Sequence, residues 1–231
     1  MLAKRLLGAL REALEGRGFI YSASEDAEWD AWFRVEDSGI PNVIAAVAPS
    51  LGEHRYGGIG LAGIASIRSL NANAVICETP REAWTKYEDD ESLRFSHIDS
   101  VRFGEFQKPS YPALTELVGK EESIDRAVSW FMNFVTDPVN NWFTARNSME
   151  KLLTLAKTPN PGTENINPRR FRGVVATFVV NHRFADAASL MKWYLERDTF
   201  NRADSVQRAA AFDAALSEKF PEYRLARHSI E

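Results

Sequence analysis

The sequence predicts an α+β fold: an N-terminal helix, a mainly antiparallel sheet, then an α-helical C-terminal half. Two observations carry that expectation. Up to about residue 110, short apolar runs alternate with polar, glycine-bearing breaks, the texture of short strands joined by turns. Beyond it, apolar and aromatic residues recur at three- and four-residue steps, the period of amphipathic helices.

Leu2, Leu6, Leu7, Leu10 and Leu14 place one leucine stripe on a first helix, ended by Gly16 and Gly18. Phe19-Ile20-Tyr21 reads as a short strand. Glu28–Val35 alternates Trp29, Ala31 and Phe33 against Asp30, Trp32 and Arg34, and reads as a second. Asn42–Ala48 has the look of a buried strand stopping at Pro49. Tyr56–Ile67 is either a strand or a glycine-rich turn entering a helix. Val101–Phe106 is expected to be the last strand, after the acidic loop Glu88-Asp89-Asp90-Glu91. In the second half, Ala127, Val128, Phe131, Phe134 and Val135 mark a helix closed by Asp137-Pro138. A short helix then carries Trp142 and Phe143, and another starts at Ser148 as N-cap. Residues 158–167 form the clearest linker, rich in proline. Beyond it, Phe171–Val180 and Ala185–Leu195 read as an antiparallel helix pair. Ala203–Phe220 adds a helix with a small-residue face of Ala209, Ala210 and Ala214. The expected division is an α+β domain over residues 1–157 and a helical extension over 168–231.

Composition narrows the function. Of 231 residues, 45% are hydrophobic and 26% charged, which suits a globular chain, and the net charge of −4 argues against binding nucleic acid by phosphate neutralisation. The acidity is uneven: residues 1–110 hold 12 Lys/Arg against 17 Asp/Glu, so a basic partner would be drawn to this half. One cysteine, Cys77, excludes an internal disulfide and a cysteine-rich zinc site; its expected role is a small buried side chain. The N-terminal Lys4-Arg5-Leu6-Leu7 imitates a signal peptide, but Arg11, Glu12 and Glu15 interrupt the apolar stretch. No run reaches membrane-spanning length, and a cytoplasmic location is the expectation.

Gly58-Ile59-Gly60-Leu61-Ala62-Gly63 matches the dinucleotide-binding fingerprint, with Glu78 near the place of a ribose-binding acid. The fingerprint, however, needs an apolar strand running into its first glycine, and Gly52–Gly57 is polar; a glycine-rich strand or bend is the competing reading. His54, His97, His182 and His228 lack metal-site spacing, so no metal is expected. Glu28 and Asp30, flanking Trp29, are the best pair for acid–base chemistry, but a polar strand face with the aromatics turned inward is the better account of them. The basic run Arg169-Arg170-Phe171-Arg172 is short for a nucleic-acid surface and is placed to pair with the acids of the other half. No catalytic set emerges, and the residues point to no cofactor.

One resemblance goes further. The residues that carry it are the leucine-rich helix ending in Gly18-Phe19, the aromatic strand Trp29–Val35, the strand Val43–Ala48 and the glycine-bearing stretch 57–63. A helix running into Asn141-Trp142-Phe143 and the segment Ser148-Met149-Glu150-Lys151-Leu152-Leu153 complete it. This order resembles a bacterial family of uncharacterised domains often classed among polymorphic-toxin immunity proteins, over roughly residues 1–157. The resemblance implies a cytoplasmic, non-enzymatic protein that binds and neutralises a cognate toxin. An acidic inhibitor suits a toxin with a basic cleft, and the contacts expected on this reading are Glu25, Asp26, Glu28, Asp30, Glu88, Asp89, Asp90 and Glu91. Two other readings stay open: a small-molecule or nucleotide-binding enzyme using Gly58–Gly63, and a helical adaptor.

Overall fold

The computed structural model describes residues 1–22, 32–54, 56–86, 88–89 and 98–230. Over these the fold is α+β, with an N-terminal helix, an antiparallel sheet and a helical C-terminal half. Helix α1 (Leu2–Glu15) is followed by β1 (Ile20–Ser22), β2 (Trp32–Arg34), β3 (Ile44–Glu53) and β4 (Ile59–Arg68). After α2 (Leu70–Cys77) come β5 (Asp99–Arg102) and β6 (Glu116–Val118). The sheet order is β1-β2-β3-β4-β5, with β6 also pairing β4. Phe33 stands opposite both Tyr21 and Val47, and Gly60 opposite Leu117. The helices of the second half are α3 (Ile124–Phe134), α4 (Asn140–Thr144), α5 (Met149–Lys157), α6 (Pro168–Val180), α7 (Phe184–Leu195), α8 (Val206–Lys219) and α9 (Pro221–His228). No helix among the described residues is long and apolar enough to cross a membrane.

The chain forms two compact units. The first comprises Met1–Ser38, Ile44–Ile67 and Ser100–Ala145; the second comprises Gly39–Val43, Arg68–Asp99 and Arg146–Glu231. The proline-rich segment 158–167 is a loop between α5 and α6 inside the second unit, so the units do not follow a division at that linker.

In the first unit the leucine stripe buries Leu6, Leu10 and Leu14 in one cluster with Phe33, Val47, Leu61 and Ala65 of the sheet and Ala127 and Phe131 of α3. The Phe103 ring lies 4.8 Å from that of Phe131 and stacks on Phe134 at 5.0 Å. In the second unit α6 is the hub, with Phe171, Val174, Val175 and Phe178 fully buried and α2, α5 and α7 packed around it. Its start is set locally: Asn167 accepts from the Arg169 and Arg170 amides, and Pro168 occupies the first turn.

Several elements differ from the sequence expectation. Strand β3 continues through Pro49 to Glu53. Residues 74–77 belong to helix α2, started by the Ser69 hydroxyl accepting from Ala72 N. Asp137-Pro138 does not close a helix; Val135–Val139 widens into a π turn that accommodates the proline between α3 and α4. Only Asp99–Arg102 of the expected last strand is extended, and Phe103–Phe106 turns as a 3-10 helix. The packed face of α8 is Ala209, Phe212, Asp213 and Leu216, whereas Ala210 and Ala214 are exposed, and Cys77 is exposed too.

Candidate functional site

The glycine stretch resolves first. Gly57 and Gly58 sit in the turn between β3 and β4, closed by His54 N donating to Gly58 O at 3.2 Å. Gly58 has φ +80°, and a side chain there would bring its Cβ within 2.7 Å of Val118 O on β6. Gly63 lies under Phe103, where a Cβ would fall 2.3 Å from the ring. These glycines serve a hairpin, a close strand crossing and an aromatic contact. The strand–turn–helix that would present amides to a pyrophosphate is not what the segment forms, so the nucleotide reading of Gly58–Gly63 fails on geometry.

Strand alternation then builds a groove. Val47, Leu61 and Ala65 point into the core, so Ser50, Gly52, Gly60 and Ala62 fall on the other face of the sheet. Tyr111–Thr115 walls this face, leaving a cavity of about 500 Å3 whose lining includes Glu53, His54, Leu114 and Thr115. The wall is fixed by Tyr111 N donating to Gly104 O at 2.9 Å and Leu114 N donating to Tyr111 O at 2.9 Å. Gly104 permits that approach, since a Cβ there would overlap Tyr111 O at 1.8 Å. Two tyrosines stand in solvent, Tyr56 at 73% exposure and Tyr111 at 56%. The Tyr56 amide donates to His54 Nδ1 at 3.3 Å, with the two rings 5.5 Å apart. Glu53 is exposed and has no ion pair among the described residues.

Of the expected contact carboxylates, Glu25, Asp26, Glu28, Asp30, Asp90 and Glu91 lie outside the described residues. Asp89 is exposed. Glu88 is turned inward: its side chain is 2% exposed, accepts from Thr85 N at 2.6 Å and Arg169 Nε at 3.3 Å, and lies 3.9 Å from Arg172 Nη1. Its carboxylate is committed to the second unit's interior and is not a partner contact. The Arg169–Glu88 pair also shows the basic run of α6 meeting an acid of the N-terminal half.

The same interior holds a network that sequence reasoning missed. Arg172 Nη2 donates to Asp204 Oδ1 at 2.6 Å, Tyr194 Oη donates to Asp204 Oδ2 at 2.9 Å, and Arg172 Nη1 donates to Ala83 O. Burial, reinforced by the Asp204 charge, pushes the Tyr194 phenol far above its ordinary range. Asp213 plays the same part between α8 and α9, accepting from Tyr223 Oη and from Arg227 Nε at 3.0 Å, and burial raises the Tyr223 phenol likewise. Each acid has its charge and lone pairs satisfied, as structural carboxylates do. Among the described residues, no group of three or more His, Cys, Asp or Glu side chains is placed to hold a metal ion. No family model, curated protein or solved structure matches the chain.

Proposed function

We propose that this protein acts in the cytoplasm by binding another protein, as an immunity-type inhibitor that neutralises a cognate bacterial toxin without catalysis or cofactor. The observation that supports this reading is the open groove on the sheet face of the first unit, with Tyr56, Tyr111 and Glu53 presented to solvent beside it. Tyrosine is favoured at protein contacts because it offers a large, rigid surface with a polar tip at small entropic cost. Charge supports it as well. The segments of the first unit carry 10 Lys/Arg against 15 Asp/Glu, a net of −5, while those of the second carry 18 against 17. Such a field speeds encounter with a basic protein and disfavours nucleic acid. A toxin with a basic active-site cleft is the partner class that fits, and inhibition then requires only a rigid complementary surface covering that cleft.

The test is capture of a stoichiometric partner from the native host, followed by growth in a heterologous bacterial host. Expression of the partner alone is expected to arrest growth, and co-expression of this chain to restore it. A captured partner that is harmless, or an arrest that co-expression leaves in place, would refute the proposal.

A further inference from the structure

We infer that two side-chain ties in the second unit couple its stability to that of the first. The coupling does not depend on the binding reading above.

The chain leaves the second unit and returns to it through residues 44–67 and again through residues 100–145, and each excursion is tied at its base. Asn71 Nδ2 donates to Asn42 Oδ1 at 3.0 Å, joining residues 29 positions apart on either side of the first excursion. Arg146 Nε donates to Asp99 Oδ2 at 2.9 Å, and its Nη2 lies 2.9 Å from the same oxygen; this pair, 47 positions apart, brackets the second excursion. Its side chains are 15% and 12% exposed, so salt screens the pair little. The two bases share one framework. Asn42 Nδ2 donates to Asn181 Oδ1 at 3.2 Å, and Asn181 Nδ2 donates to Thr177 O of α6 at 2.8 Å. Gly39 lies so close to Asn147 that a Cβ on it would fall 2.5 Å from the Asn147 carbonyl oxygen. All of these residues belong to the second unit.

Loop closure makes such ties a coupling device. Strands β3 and β4 are hydrogen-bonded neighbours joined by the turn at Gly57-Gly58, so folding of the first unit brings the two ends of residues 44–67 side by side. The Asn42–Asn71 bond then forms without closing a flexible loop. If the first unit opens, the same bond must hold together the ends of 29 positions of flexible chain, at an entropic cost that grows with the logarithm of loop length. The Arg146–Asp99 pair meets that cost over 47 positions. Each unit therefore steadies the other through the ties, and by linkage a ligand that steadies the first also steadies the second.

The test is native-state hydrogen exchange of the full chain, read separately over α3 in the first unit and α6 in the second. Leu10→Ala, which empties a fully buried site in the first unit's core, is the perturbation, and Val47→Ala is a milder substitute in the same cluster. With both ties intact, Leu10→Ala should lower protection in α3 by about thirtyfold or more, the scale of a buried leucine truncation, and should lower protection in α6 as well. With the ties removed by Asn71→Ala and Arg146→Gln, the same perturbation should lower α3 as before and leave α6 unchanged. Asn71→Ala alone, at an exposed position, should already reduce the response of α6, and it keeps the comparison available if the double variant does not fold. An α6 that ignores the perturbation while both ties are intact, or that responds equally with and without them, would overturn the inference.

Discussion

Asp204→Ala should open the second unit far more than its single lost side chain suggests. Arg172 is 2% exposed at its side chain and Asp204 is fully buried, so the charge left behind has no access to water. Glu88 is the only other carboxylate near it among the described residues, at 3.9 Å instead of 2.6 Å. Since Coulomb attraction falls as the inverse of distance, Glu88 retains about two-thirds of the attraction that Asp204 exerts. What Asp204 alone supplies are directed bonds to Arg172 Nη2, to Tyr194 Oη and to the Ser205 amide, the first two being the costly ones to lose. A hydrogen bond to a charged group contributes about 1.5–3 kcal/mol, and the Tyr194 hydroxyl left without its acceptor costs about 1–3 kcal/mol more. Together these give about 2.5–6 kcal/mol, which brackets the roughly 3–5 kcal/mol of breaking a buried pair. Native-state hydrogen exchange resolved by segment is the suitable assay, because it reads the second unit by itself. At about 1.4 kcal/mol per tenfold, a loss of about 3–5 kcal/mol should lower protection of the α6 amides by a factor of about 100 to 4,000. A fall of less than tenfold would show that Arg172 finds water or a new partner, and would refute the reasoning.

Three further outcomes follow from the structure. Tyr194 and Tyr223 both have phenols raised from the ordinary value of 10.0, so folding holds their protons more tightly than the unfolded chain does. Their contribution to stability is complete below pH 10 and is lost as pH rises above it; urea unfolding at pH 9 to 11 should show this slope, and Tyr223→Phe should flatten it. Gly104→Ala should detach the Tyr111–Thr115 wall, because a Cβ at 1.8 Å from a backbone oxygen forces the chain apart; a thermal midpoint unchanged within 1 °C would contradict that. Ser148→Ala removes the acceptor for Lys151 N at the start of α5 and should cost about 0.5–2 kcal/mol in denaturant titration.

The parts of the fold legible in the sequence were those set by local physics. Leu6, Leu10 and Leu14 announce their helix because burial on one side imposes the 3.6-residue period. Ser148 marks a helix start because orphan amides there need a cap. The rest depended on residues far apart in sequence. Glu88 meets Arg169 across 81 positions, and Arg172 meets Asp204 across 32, so an acidic run that reads as a solvated loop contributes an interior carboxylate. The groove is silent for a different reason. Its floor is made of small neutral side chains, and sequence gives no sign that Thr115 will stand over Gly60. The false nucleotide signal has the same root: a strand that must pass close to Val118 and Phe103 needs glycine just as a phosphate does.

The interleaving of the two units has a consequence during synthesis. The last residue of the first unit is Ala145, so the groove and its sheet can close while residues 146–231 are still being made. At about 5–20 residues per second, that interval is roughly 4–17 s. The second unit has the opposite schedule. Its helix α2 is made early, but the hub that covers it, α6, begins at Pro168. A nascent chain ending near residue 157 would therefore hold a finished groove together with an uncovered apolar α2, able to engage a partner before its own folding is complete.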